Sequence, residues 1–270
     1  MAPLAVATLG DNCIDRYLAI GRSTVGGNAV NVAVHLARRG IPAAYYGAVG
    51  RDTDGERVIA ALRASDVDIA GLRTQDGRTA YTDIAFGDGG ERIIAHEDFG
   101  VCAGYRPDPA ELDTMACLRH VHLGWLDDGD AARRTLLAAG ASVSQDLSVT
   151  ASSAGRHAAG LAIAFASAGP DLGESEALVV RLLEEGAKLA VVTCGAAGSL
   201  ASDGGPIARM DAMSVPVVDT LGAGDTFIAA FIAARFAGAG LVEALAAGRS
   251  AAAETCGHLG GFPQAPQALR

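Results

Sequence analysis

The segment Asp219-Thr-Leu-Gly-Ala-Gly-Asp225 puts a carboxylate directly after a turn of small residues, and an apolar helical run, Phe227 to Phe236, follows at once. A glycine-rich turn that opens a helix aims backbone N–H groups and the positive end of the helix dipole at one spot. A carboxylate in that spot can face a hydroxyl while the amides hold a phosphoryl group, which is the equipment of a phosphotransferase. An aspartate at a helix N-terminus is expected to remain ionised at neutral pH. The plainer alternative is a glycine-rich βα turn with an aspartate N-cap.

A second polar group lies near the start. Asp11 follows the first apolar run, and Gly26-Gly27-Asn28 precedes a helical stretch that contains Asn31. The two glycines allow close backbone approach to a ligand. Asn28 suits an N-cap, and Asn31 falls on the same helical face three positions on. A carboxylate and two amides at one helix end can hydrogen-bond a polyol; capping plus a polar helix face explains the same residues without a ligand. Thr193-Cys-Gly195-Ala-Ala-Gly198 follows another apolar run and suits a nucleotide phosphate, a ribose or any tight turn. His120 and His122 alternate along one run with no third ligand in evidence, so they read as core or crevice-lining groups rather than metal ligands. Ser148, Ser152, Ser153 and His157 form no GxSxG elbow, and serine hydrolase chemistry lacks support.

These groups need a frame. Short buried strands are expected at Val6–Leu9, Ala43–Val49, Val121–Leu123, Ala141–Ser144, Leu161–Ala166 and Leu189–Val192. Helices are expected at Ala29–Arg39, Gly55–Ala64, Ala131–Ala139, Glu174–Gly186 and Phe227–Phe236, with helical packing and then a loop after Leu241. The alternation implies a parallel sheet covered by helices. Several strands end in polar or glycine residues, at Gly10-Asp11, Gln145-Asp146, Ser167 and Thr193, and ligands of such sheets bind outside the carboxyl ends of the strands. Two β-rich stretches, Thr79–Phe86 and Glu91–Phe99, joined by Gly87-Asp-Gly-Gly90, read as an inserted hairpin; Cys13–Ile20 is a second β-like insertion. Together they make either a lid over the crevice or an ordinary surface hairpin or dimer contact.

The 270 residues suffice for one large α/β domain or two small ones, and half are apolar, so a sizeable core can form. A formal charge of −10 argues against nucleic acid or an anionic membrane as the main partner. No apolar run has the length of a membrane span, and the N-terminus lacks a basic-then-apolar signal pattern, so a cytoplasmic protein is expected. Five cysteines without a CxxC pair suit a reducing compartment. Lys188 is the only lysine and sits outside any glycine-rich loop, which excludes a GxxxxGK[ST] phosphate loop.

Taken in order, five motifs resemble the ribokinase (PfkB) family of carbohydrate kinases: Gly10-Asp11, Gly26-Gly27-Asn28-Ala-Val-Asn31, Val49-Gly50-x-Asp52-x-x-Gly55, Thr193-x-Gly195-x-x-Gly198 and Asp219-Thr-x-Gly-Ala-Gly-Asp225. Within it, Thr8-Leu-Gly-Asp-Asn-Cys-Ile-Asp15, Gly26 to Val34 and Phe165-Ala-Ser-Ala168 are most similar to the bacterial fructoselysine 6-kinases. The resemblance implies one α/β domain over residues 1–270. Its core would be three-layer α/β/α with a mainly parallel sheet. A small β-sheet lid would be formed by about residues 12–25 and 76–100. It implies ATP as phosphoryl donor, Mg²⁺ bridging the phosphates, and Asp225 as the base, with the amides of Gly222, Ala223 and Gly224 as the anion hole. Asp11, Gly26, Gly27, Asn28 and Asn31 would hold the sugar, with Asp15 or Arg92 reaching it from the lid, and Thr193, Gly195 and Gly198 would border the nucleotide. Asp219 and Thr220, with the loop after Ala253, match the region that holds a monovalent cation such as K⁺ in many relatives.

The chain departs from the family where an Asn and a Glu usually organise Mg²⁺. The stretch here is Ser167-Ala-Gly-Pro-Asp-Leu-Gly-Glu174-Ser-Glu176, which lacks the Asn and leaves Glu174 or Glu176 to serve. Asp66 stands where a glycine is usual, and aspartate tolerates left-handed geometry better than most residues. The expected function is ATP-dependent phosphorylation of a sugar hydroxyl, with an Amadori compound such as fructoselysine (6-OH) as the favoured substrate. An ammonium on its arm would favour acidic neighbours: Asp15, Asp83, Glu97 or Asp98. The alternatives are a kinase for fructose, ribose or a nucleoside, a non-catalytic sugar sensor of the same fold, and a lid that pairs two chains into a homodimer.

Overall fold

A computed structural model describes residues 5–86, 92–149 and 156–269, without the side chains of Phe86 and Arg92. In chain order the elements are β1 (Val6–Leu9), β2 (Cys13–Tyr17), β3 (Arg22–Gly26), α1 (Asn28–Arg38), β4 (Ala43–Gly50), α2 (Thr53–Ala64), β5 (Leu72–Gln75), β6 (Tyr81–Phe86) and β7 (Arg92–Asp98). There follow α3 (Pro109–Ala116), β8 (His120–Leu123), α4 (Gly129–Ala138), β9 (Val143–Asp146), β10 (Ile163–Ser167), α5 (Leu172–Glu184) and β11 (Ala190–Thr193). The chain closes with β12 (Ser199–Ser202), β13 (Ala208–Met210), α6 (Ala223–Phe236), α7 (Leu241–Thr255) and β14 (Gln267–Ala268).

The larger sheet has nine strands in the order β13-β12-β11-β10-β9-β8-β1-β4-β5. From β5 to β11 every pairing is parallel; β12 and β13 extend the edge antiparallel. Alternate residues of one strand enter opposite cores. Val6 and Val191 pack with α6 and α7, while Ala7 and Val192 join Met115, Leu136 and Val179 from α3, α4 and α5. Apolar groups on α1 and α2 form a third cluster with Tyr45 and Val49 of β4. The result is the expected three-layer α/β/α arrangement. The six strands and five helices expected from the sequence are all present. The sequence reading passed over β3, β5, β12, β13, β14 and α3. The last is marked by an Asp108–Glu111 capping box with Pro109 at its first turn.

The smaller sheet has five strands in the order β14-β3-β2-β6-β7. The connection 87–91 between β6 and β7, where the Gly87–Gly90 turn was read, lies outside the described residues. Asp52 fixes where this sheet leaves the core. Its carboxylate caps α2 through the Gly55 N–H (2.7 Å) and accepts the Thr79 N–H (2.8 Å) just before β6. The motif Gly50-x-Asp52-x-x-Gly55 is therefore a joint between the two sheets. Asp66 has φ 57, the only non-glycine in left-handed geometry among the described residues, as its substitution for glycine anticipated.

Candidate active site

Four segments from distant parts of the chain meet at the carboxyl ends of β1, β8 and β9. Gly27 has φ 105 and serves as N-cap of α1. A side chain there would run into the Asn12 backbone, so a residue other than glycine would push β2 away from the helix. Asn28 is the first residue of α1 and makes no capping bond, contrary to the expected N-cap. The α1 amides are satisfied from β1 instead, because Asp11 accepts the N–H groups of Asn28 (3.2 Å) and Ala29 (3.3 Å). Asn28 is left free for longer-range work. Its Nδ2 donates to Asp146 (2.9 Å) and to Asp225 (2.7 Å), one proton to each carboxylate. Asn31, one helical turn on, donates to the other Asp225 oxygen (2.7 Å). The Oδ1 atoms of both asparagines are buried without a hydrogen-bond partner. Two orphaned acceptors beside a carboxylate suit hydroxyl donors of a ligand.

Asp225 is not an N-cap. Gly222, with φ 73, takes that position, and Asp225 lies in the first turn of α6. The Ala223 N–H folds back on Thr220 O at 3.3 Å. The expectation of an ionised Asp225 at neutral pH is also corrected. Burial in the pocket raises its pKa to about 7; Asp146 and Asp11 add to the rise, and the bonds from Asn31 and Asn28 oppose it. The helix dipole acts on Asp225 in the direction read from sequence, but two neighbouring carboxylates and loss of water outweigh it. Asp11 is raised to about 6, first by burial. Asp146 is raised as well, again by burial, and is held by the N–H and hydroxyl of Ser148. Asp146 was visible in sequence only as a polar strand end.

A cavity of about 230 Å³ joins this cluster to the smaller sheet. Its core side is walled by Asp11, Gly27, Asn28, Asn31, Gly222 and Asp225, and its sheet side by Asp15, Thr82, Glu97, Asp98 and Phe99. The smaller sheet thus covers the cluster, as a lid would. Asp15, Glu97 and Asp98 face the cavity as expected, whereas Asp83 does not; Arg16 holds it with two bonds of 2.6 and 2.7 Å. Asp11, Asp15, Glu97, Asp98 and Asp225 line the cavity, and no Lys or Arg side chain does so among the described residues. Arg92 starts β7, and its side chain lies outside what is described. Gly26 packs against the Asp15 carboxylate, which leaves no room for a side chain at that position.

The other expected site residues stand apart from this cavity. Thr193 ends β11, Gly195 (φ 55) has open space where a side chain would be, and Gly198 (φ 104) packs on the Met210 backbone. Glu174 is exposed in the first turn of α5, and Glu176 pairs with Arg209 at 2.7 Å. Asp219 is buried and Thr220 exposed. His120 and His122 are buried and bonded to Ser142 and Ser144, as core groups. No group of three or more acidic, His or Cys side chains suited to a metal ion occurs among the described residues, and none of their helices is long and apolar enough to cross a membrane.

The family model of the pfkB family carbohydrate kinases matches residues 19–101 and 158–268. A fructoselysine 6-kinase of Shigella flexneri is 36% identical over 262 residues, which span 95% of this chain and 99% of that protein. A fructosamine kinase of Bacillus subtilis is 28% identical over 96% of this chain and 93% of its own length. The structure of Arabidopsis thaliana ribokinase complexed with ribose and ATP superposes with a TM-score of 0.80 at 21% identity, over 96% of this chain and 94% of that one.

Proposed function

This chain belongs to the pfkB family of carbohydrate kinases, and on that premise we propose that it transfers the γ-phosphoryl group of ATP to the 6-hydroxyl of fructoselysine or a closely related Amadori compound. The observation that carries the substrate is the lid side of the cavity, where Asp15, Glu97 and Asp98 gather with no described basic side chain beside them. A neutral hexose would gain little from such a wall. A sugar whose amine is protonated gains charge complementarity in a partly desolvated cleft. The fructoselysine 6-kinase that resembles this chain supports the same choice.

In this reading the orphaned Oδ1 atoms of Asn28 and Asn31 accept sugar hydroxyls, and Asp11 accepts another. Asp225 takes the proton of the attacking hydroxyl as that oxygen bonds to phosphorus and the bond to the β-phosphate oxygen breaks, releasing ADP. A pKa near the working pH suits a general base. The N–H groups of Gly222, Ala223 and Gly224 stabilise the charge on the transferring phosphoryl oxygens; the Ala223 amide exchanges its 3.3 Å turn bond for one of them. Thr193, Gly195 and Gly198 border the nucleotide, and the open face at Gly195 supports this. Mg²⁺ neutralises the phosphates when bound and, in such sites, keeps several waters and uses few protein carboxylates. Exposed Glu174 fits that demand, whereas Glu176 is engaged by Arg209. Both sheets form one sugar-kinase domain, with the smaller as lid. The exposed Ile93 on its outer strand β7 supports pairing of two lids, which light scattering tests.

The test is ADP release with ATP and Mg²⁺ against fructoselysine, fructose, ribose and adenosine. Selective turnover of fructoselysine is expected. Turnover of fructose or ribose in preference would sink the substrate assignment and keep the Asp225 chemistry.

A further inference from the structure

The buried Tyr17 of β2 donates its hydroxyl to Asp219 Oδ2, across 202 positions of sequence. The same oxygen accepts the Gly260 N–H (3.0 Å), and Asp219 Oδ1 accepts the Leu221 N–H (3.0 Å). One carboxylate thus clips three segments together: a lid strand, the turn that leads into Gly222, and the loop before Gly261. That loop matters because Gly261 packs directly on Gly222, leaving no room for a side chain there, and on Asn31. Asp15, on the same face of β2 two residues before Tyr17, lines the cavity. One strand therefore reaches the sugar side with Asp15 and the phosphoryl side with Tyr17.

The same geometry bears on the monovalent cation that the resemblance placed at Asp219 and Thr220. Three N–H or O–H donors point their hydrogens at the Asp219 oxygens and take three of the carboxylate's roughly four lone-pair sites. The Asp219 side chain is thus committed mainly to these donors rather than to a cation, and no step is assigned to one.

We infer that Tyr17 is a positioning residue for phosphoryl transfer, holding the Leu221–Gly224 turn through Asp219 in the place where related chains were expected to use a cation. The inference rests on the kinase reading above, since it assigns that turn to the phosphoryl group. Tyr17 is fully buried and does not line the cavity. Its loss should therefore act on turnover and leave sugar affinity in place.

The test uses the full chain and Tyr17→Phe, which removes one oxygen. Expected are a fall in kcat of at least tenfold, a calorimetric sugar Kd within threefold of the parent, and faster amide hydrogen exchange across residues 221–224. The parent should turn over equally in KCl, NaCl and tetramethylammonium chloride. An unchanged kcat in Tyr17→Phe, or a loss confined to sugar binding, would overturn the inference. So would a tenfold loss of parental activity when K⁺ is replaced by tetramethylammonium. If Tyr17→Phe prevents folding, Asp219→Asn gives the same readouts. If the parent shows no turnover of any sugar, the kinase assignment of the substrate fails separately; unchanged exchange at 221–224 in Tyr17→Phe would then refute the clip.

Discussion

The side-chain amide of Asn31 lies 2.7 Å from the carboxylate of Asp225, although the two are separated by 194 positions in sequence. Helix α1 thereby orients Asp225 of α6, and the same amide favours the charged form of that carboxyl. Asn31→Ala leaves one Asp225 oxygen without its donor. The acid limb of the kcat/KM profile should move to higher pH, and kcat/KM at pH 7 should fall by about tenfold or more, the scale of a lost charge-assisted hydrogen bond.

The limb itself is the second prediction. Asp225 must be ionised to accept a proton, and its pKa is raised to about 7. In the free enzyme, kcat/KM should therefore rise with pH, fall away below about 7 and drop tenfold per unit further down. Asp146 contributes to the rise while sharing the Asn28 amide with Asp225. Asp146→Asn keeps an acceptor for Asn28 and removes the charge, so the limb should shift to lower pH. A loss of activity with an unmoved limb would show that Asp146 does not set the ionisation of Asp225.

Asp225→Asn should reduce kcat by orders of magnitude while calorimetry still detects sugar binding. It should also change how stability depends on pH. A carboxyl whose folded pKa is raised keeps its full stability below the unfolded value of 3.8 and loses it as pH climbs toward about 7. Asparagine carries no such penalty. The melting temperature of the variant minus that of the parent should therefore increase between about pH 4 and pH 7 and then level off. A flat difference would argue that Asp225 is not desolvated as described.

Glu97 is exposed at the cavity rim, so its charge can act on a substrate arm without supporting the fold. Glu97→Gln should raise KM for fructoselysine by about two- to fivefold, the scale of one partly solvated ion pair. The effect should shrink in high salt and vanish with fructose. Equal effects on both sugars would remove Glu97 from arm recognition.

Gly222→Ala should be costly twice over. Its φ of 73 disfavours any side chain, and the methyl would press into Gly261. A loss of about 1–3 kcal/mol in stability is expected from the backbone alone. Thermal denaturation measures it, and kcat should fall further than stability explains.

Much of the site could be read from spacing. Asp11, Gly27, Asn28, Asn31, Gly222 and Asp225 were all singled out, and one cavity collects them. Their local roles were less legible. Asn28 looked like a cap because capping is a neighbour-to-neighbour property, yet the cap function passed to Asp11 from another strand. The ionisation of Asp225 was misjudged for a related reason: the dipole is a local feature, whereas Asp146 and Asp11 arrive through the fold of the sheet. Asp83 and Asp15 have similar sequence surroundings, but β2 and β6 turn one to the cavity and the other to Arg16. Strands β12 (Ser-Leu-Ala-Ser) and β13 (Ala-Arg-Met) were passed over because neither holds a β-branched or aromatic residue, the side chains that favour a strand.

Phe99, which lines the cavity at the end of β7, stacks on Trp125 with ring centroids 3.8 Å apart and planes 7° from parallel. Trp125 is the only tryptophan in the chain. The molecule thus has a built-in optical gauge. Its intrinsic fluorescence comes mainly from the ring on which the cavity wall rests, so a ligand that shifts Phe99 should report its own binding in real time with no dye attached and no coupled assay.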